Sequence, residues 1–202
     1  MENGYQASDK EIVNVHYIEV KENFMSEWNA SLYDNKHDFV AEYGKGLLEF
    51  VPVNNNQSIL DLGCGTGTLT AQLKELSKEV IGVDGSQSMI KRAQEQYPDI
   101  EFMVCDALEL PFNRQFDVVF SNAVFHWISD HNALLNNIHK VLKPGGLLIC
   151  EFGAAGNIAT IENAFMKAGS EFGYEYSPKF NFPTRSEEHT SELQSLKHLV
   201  CR

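Results

Sequence analysis

The chain has 202 residues, 43% of them hydrophobic, which is enough for one domain with its own core and too few for two ordinary ones. Its 28 acidic and 16 basic side chains leave a formal net charge of -12. That balance excludes a phosphate-neutralising nucleic-acid groove and directs attention to small-molecule or protein partners. Cys64, Cys105, Cys150 and Cys201 form no C-x-x-C pair, so neither a zinc site nor a disulfide framework is expected, and a reducing cytoplasm is.

The opening MENGYQASDKEI lacks the basic-then-apolar pattern of a secretory signal, and no apolar run reaches the length of a membrane span. A soluble protein without membrane partners is therefore expected. Residues 1–24 show no clear period and are read as an N-terminal extension. The interpretable pattern begins just after Met25, with Trp28 and Tyr33, so Met25 is read as the natural start. Lys36 to Phe50 predicts an amphipathic helix whose apolar side carries Phe39, Val40, Tyr43, Leu47 and Leu48.

From Ser58 to Phe152 short apolar runs alternate with helical patterns, the form of a parallel sheet covered by helices. Five strands are predicted, at Ser58 to Leu62, Glu79 to Val83, Ile100 to Cys105, Phe116 to Ser121 and Leu147 to Phe152. Leu69, Leu73 and Leu76 repeat at helical spacing, as do Met89, Ile90, Ala93 and Tyr97, and then Leu134, Leu135, Ile138, Val141 and Leu142. Asp130 is placed to cap the last of these helices, and Lys143-Pro144-Gly145-Gly146 to end it and turn the chain into the fifth strand. Right-handed crossovers favour a doubly wound α/β sheet with strand order 3-2-1-4-5.

The last stretch is different in texture. Arg185 to Ser195, RSEEHTSELQS, reads as an in-frame translation of a sequencing-library adapter, with a natural polar helix as the alternative. On the first reading residues 185–202 are a non-native tail and the domain spans 25–184. The sheet then lacks its final strands and leaves the fifth as an uncovered edge.

The chemistry concentrates at Ile59-Leu60-Asp61-Leu62-Gly63-Cys64-Gly65-Thr66-Gly67, an apolar strand with an acid near its end that runs into alternating glycines. Glycine there lets the backbone turn sharply and approach a ligand. The third glycine comes one place earlier than in the G-x-G-x-x-G dinucleotide fingerprint, and Thr68 takes that pattern's last position. A pyrophosphate seeks a helix N-terminus, whereas an acid beside the glycines suits a cationic ligand.

DLGCGTG resembles the first motif of the class I S-adenosylmethionine-dependent methyltransferases, whose cofactor carries a sulfonium and an ammonium. The resemblance covers about Trp28 to Asn181 and implies the Rossmann-like fold, S-adenosylmethionine as cofactor and methyl transfer as the activity. It implies that Asp84, closing V-I-G-V-D, accepts hydrogen bonds from both ribose hydroxyls, for which a carboxylate has the two oxygens required. Asp106 in M-V-C-D-A matches the residue that holds the adenine amino group, with backbone contact from Ala107. Gly85, Ser86, Gln87 and Met89 form the turn that the family packs against the adenosine. Asp61, Gly63, Cys64, Gly65 and Gly67 complete the cofactor set. F-D-V-V-F-S-N-A, which includes Asn122, resembles the fourth motif, and L-K-P-G-G-L-L-I the approach to the fifth strand. Trp28 and Tyr33 resemble an aromatic segment that closes over the cofactor, with plain core packing as the alternative.

Each residue also has a plainer use. Asp61 and Asp84 could cap neighbouring helices, and Cys64 and Cys105 suit small packing roles better than nucleophilic ones. No metal is expected. His126, in Ser121-Asn122-Ala123-Val124-Phe125-His126-Trp127, follows the fourth strand. It is the candidate for acceptor positioning or proton removal, against the alternative of packing the loop onto the core.

F-H-W-I-S-D-H and E-F-G-A-A-G-N-I are similar to trans-aconitate and malonyl-carrier methyltransferases, which implies a small-molecule acceptor, foremost a carboxylate oxygen. Carboxylate recognition commonly recruits arginine, yet only Arg92 and Arg114 precede the tail, and Arg114 is expected at the wrong end of the sheet. Methylation of a nucleic-acid base amine is weaker, since Asn122-Ala123-Val124 stands where such enzymes place Pro-Pro and an aromatic. A nicotinamide oxidoreductase is disfavoured by the glycine spacing. An inactive cofactor-binding fragment or an interaction module with the same fold is the remaining alternative.

Overall fold

The computed structural model describes residues 44, 46–53, 56–183 and 199–201. The expected closing aromatics Trp28 and Tyr33, the start at Met25, most of the helix from Lys36 and most of the tail lie outside them.

Ser58–Leu62 forms β1, and all five residues are buried because the strand is covered on both faces. It is followed by β2 (Glu79–Asp84), β3 (Glu101–Val104), β4 (Phe116–Asn122) and β5 (Leu142–Glu151). These pair in parallel in the order 3-2-1-4-5, as the sequence predicts. The order reverses between β1 and β4, which opens a crevice at their carboxyl ends.

Period-2 alternation sends neighbouring strand residues to opposite faces. On one face Ile59, Val118, Phe120 and Ile149 pack beneath Leu69 and Leu73 of α1 (Thr68–Leu76), together with Leu47 and Val51 of the preceding segment. On the other, Leu60, Leu62, Val119 and Leu148 pack beneath Leu134, Leu135, Ile138 and Val141 of α3 (His131–Val141). Each fully buried aliphatic side chain contributes roughly 1.5–3 kcal/mol. Between them α2 (Gln87–Gln96) buries Ile90 and Ala93 against Phe102 and Cys64. Asp130 caps α3 as expected, its side chain accepting the Ala133 N–H at 2.9 Å. Far from the crevice, Lys143 Nζ lies 2.8 Å from Asp117 Oδ2, which also accepts the Ser58 N–H, and ties β1, β4 and β5 together.

Three features differ from the sequence reading. The chain enters β5 at Leu142, directly after α3, rather than at Leu147. The residues around Lys143-Pro144-Gly145-Gly146 are absorbed as a register shift opposite Phe116 and Val118. A helix not foreseen, α4 (Ala159–Glu171), has no buried residue, so it carries no apolar face into the core. A sixth strand, β6 (Leu199–Cys201), pairs in parallel with β5, Leu148 opposite Leu199, so β5 is not the uncovered edge expected. Among the described residues no helix is long and apolar enough to cross a membrane.

Candidate active site

The site is built where β1 leaves the sheet. Gly63 has φ +75°, and a Cβ placed on it would stand 2.1 Å from Val124 Cγ2, so the β1 loop and the segment after β4 touch through a glycine that no other residue replaces without strain. The Gly63 and Cys64 N–H groups both donate to Val83 O, which fixes the loop to β2. Gly65, with φ +55°, is different: a Cβ there would meet nothing within 4 Å, so its backbone borders open space. The same holds for Gly85.

Asp84 is the hub of this loop. Its Oδ2 accepts the Gly65 N–H at 3.0 Å and its Oδ1 the Ser86 N–H at 2.8 Å, so one carboxylate holds the turns after both β1 and β2. Burial raises its pKa, and the two backbone hydrogen bonds work against that rise. Ser86 in turn caps α2, its Oγ accepting the Met89 N–H at 3.4 Å, while the Met89 side chain is buried. At the next strand end Asp106 Oδ1 accepts the Leu108 N–H at 2.8 Å, with Ala107 packed on the core beside it.

Asp61 lies below the glycines and is 2% exposed. Burial pushes its pKa up to about 7, against the hydrogen bond from Thr70, and the nearby Asp84 charge adds to the rise. Cys64 points the other way, into the cluster with Ile90, Ala93 and Phe102, and burial drives its thiol pKa far up, so it shapes the loop and is no nucleophile. Gly67 sits at the start of α1 against Phe102 and Tyr97.

The acceptor side begins at Asn122, the last residue of β4. Ala123 follows with φ +60°, a strained value for alanine, and its N–H donates to Glu151 O at 2.7 Å. A short 3-10 turn, Phe125–Trp127, then buries Phe125 against Phe152 and presents His126. The His126 Nδ1 accepts the Gly153 N–H at 3.4 Å, and burial lowers the pKa of the ring. A neutral imidazole whose Nδ1 accepts carries its proton on Nε2. Burial and this contact favour a neutral ring with its proton on Nε2, an arrangement compatible with acceptor positioning.

Sequence reasoning missed three partners of this histidine. Phe180 and Phe182 lie with ring centroids 5.6 Å and 5.7 Å from it, and the Asn181 N–H donates to His126 O at 2.7 Å. Together with Trp127 they form an aromatic wall beside the ring. It also missed Glu151 at the end of β5, although a lone acid closing the apolar run L-L-I-C-E was the signal available. Of the two arginines that precede the tail, Arg92 lies on α2 beside Glu95, and Arg114 precedes β4 at the end of the sheet away from the crevice.

Residues 60–150 match the model of a family described as a methyltransferase domain. The segment from β1 to β5 is therefore a methyltransferase domain. Over 151 residues the chain is 33% identical to trans-aconitate 2-methyltransferase of Methylobacterium radiotolerans, covering 74% of this chain and 57% of that relative. Over 142 residues it is 34% identical to an uncharacterized methyltransferase of Schizosaccharomyces pombe, covering 66% of this chain and 54% of the relative. Among solved structures, a putative methyltransferase bound to the Trm112 activator of Haloferax volcanii superposes with a TM-score of 0.65 at 24% identity, over 83% of this chain and 71% of that one, a likeness of fold. The chain spans little more than half the length of these two relatives.

The donor set fits the cofactor that the family implies. Open backbone at Gly65 and Gly85 allows a ligand to lie close, and each Asp84 oxygen, fixed by one N–H, retains a further acceptor position for a hydroxyl. Among the described residues no three metal-ligating side chains are grouped to hold an ion.

Proposed function

We propose that this domain transfers the methyl group of S-adenosylmethionine to a carboxylate oxygen of a small molecule, giving an ester. When bound, the cofactor would supply an electrophilic methyl carbon to a carboxylate oxygen, its sulfonium becoming a neutral thioether. Asp84 and Asp106 are assigned to the ribose and adenine, with Gly63, Gly65, Gly85 and Ser86 shaping the backbone cradle. Asn122 is assigned to the join between cofactor and acceptor.

The observation that carries the acceptor reading is the Gly153 N–H placed 3.4 Å from His126 Nδ1, which favours the Nε2–H form of the neutral ring. A carboxylate is already a nucleophile and needs a hydrogen-bond donor to orient it, not a base to deprotonate it. In the form favoured by the Gly153 N–H on Nδ1, His126 Nε2–H is such a donor. The trans-aconitate relatives support the same class. Trp127, Phe180 and Phe182 add apolar surface beside the His126 ring, against which the carbon skeleton of an acceptor can pack.

The test is a screen of small mono-, di- and tricarboxylates with labelled cofactor, reading base-labile ester formation, followed by a pH profile at saturating cofactor. A flat kcat/KM from pH 6 to pH 8 is expected. Transfer only to amines or alcohols, or a tenfold rise per pH unit, contradicts the carboxylate reading. Tight binding of S-adenosylhomocysteine with no turnover of any acceptor favours a cofactor-binding fragment instead.

A further inference from the structure

Glu151 is not used by the mechanism above, and its environment is unusual. Its Oε2 is buried and has no hydrogen-bond partner among the described residues. A carboxylate oxygen withdrawn from water and left unpaired is costly, so native sites seldom keep one without a ligand or ion to satisfy it.

The register places this oxygen's residue beside the cofactor loop. Asp61 pairs with Phe120 and Phe120 with Ile149, so these three form one tier across β1, β4 and β5. Two residues further along each strand lie Gly63, Asn122 and Glu151, the tier at the mouth of the crevice; Asn122 and Glu151 are direct partners. Alternation puts Asn122 and Glu151 on the same face as Phe120 and Ile149, the face on which Asp61 meets Thr70 of α1. The Ala123 N–H to Glu151 O bond pins the Glu151 backbone there. Strands are spaced about 4.8 Å apart, so the Glu151 backbone stands about two strand widths from Gly63, a gap that its own side chain and a ligand's amino-acid tail would bridge together.

We propose that Glu151 is a cofactor-binding residue, its carboxylate receiving the α-ammonium group of the S-adenosylmethionine tail at the mouth of β5. The assignment rests on the methyltransferase reading. A primary ammonium supplies three N–H donors and a full positive charge, which is what a buried, unpaired carboxylate oxygen requires. The same chemistry could come from an amine on the acceptor, and the measurement separates the two sources.

Calorimetric titrations of the full chain with S-adenosylhomocysteine and with its analogue lacking the α-amino group, on wild type and Glu151→Gln, provide the test. The wild type is expected to prefer S-adenosylhomocysteine by about 10- to 100-fold, the range of a hydrogen bond to a charged group, and Glu151→Gln to lose most of that preference. Affinity for the deaminated analogue is expected to be unchanged, which also reports that the variant is folded. If Glu151→Gln leaves the preference intact, the assignment is wrong, and the carboxylate serves the acceptor or another part of the chain. If the wild type binds neither compound, both this assignment and the methyltransferase reading fall.

Discussion

Thr70 Oγ1 lies 2.6 Å from Asp61 Oδ2, inside the protein, and this single hydrogen bond is what α1 offers to the acid at the end of β1. Both residues are buried, and the carboxyl is held up to about 7 mainly by loss of solvent. A carboxyl whose folded pKa lies above its unfolded value binds more protons when folded. Its contribution to stability is present below about pH 4 and is lost as pH rises through about 7.

Asp61→Asn is therefore expected to flatten the fall in stability between pH 5 and pH 8, by roughly 2–4 kcal/mol at most, while keeping an acceptor for Thr70. Urea unfolding of wild type and variant at both pH values measures it; parallel profiles refute it. Thr70→Val removes the donor and is expected to cost about 1–3 kcal/mol at pH 8.

Gly63→Ala meets two obstacles, the positive φ and the 2.1 Å approach to Val124 Cγ2. Together they predict a loss of about 2–5 kcal/mol, seen as a lower Tm. Adding Val124→Ala should recover the steric part and leave the backbone part. A Gly63→Ala protein that melts with wild type would show that the loop is not held against the β4 segment.

At His126 the donor reading separates substitutions by chemistry. His126→Gln keeps an N–H and is expected to retain most activity toward the acceptor, whereas His126→Phe fills the aromatic wall without a donor and should lower kcat/KM about 10-fold or more. Kd for S-adenosylhomocysteine should not change in either. Equal losses in both variants with a rate that climbs with pH would instead mark a base.

Much of the sheet could be read from its sequence because local pattern and tertiary role agree. SILDL is buried throughout, as a central parallel strand should be, and Asp130 caps the helix that its position suggests. Asp84 was legible as an acid at a strand end, though its two backbone hydrogen bonds were not. The start of β5 was misplaced because Lys143-Pro144-Gly145-Gly146 has turn composition, yet pairing with β4 absorbs it as a bulge. α4 gave no signal since it buries nothing. Phe180 and Phe182 reach His126 only through the folded chain, and no local period announces that contact.

The central claim is that the crevice at the ends of β1 and β2 holds S-adenosylmethionine, with Asp84 as its anchor. Calorimetric titration of wild type and Asp84→Ala with S-adenosylhomocysteine tests it most directly, with circular dichroism to show that both are folded. The account predicts measurable binding by wild type and a loss of about 10-fold or more in Asp84→Ala, because the ribose acceptor and the Gly65 and Ser86 tethers go together. A folded wild type that does not bind, or an Asp84→Ala protein that binds equally well, would contradict it.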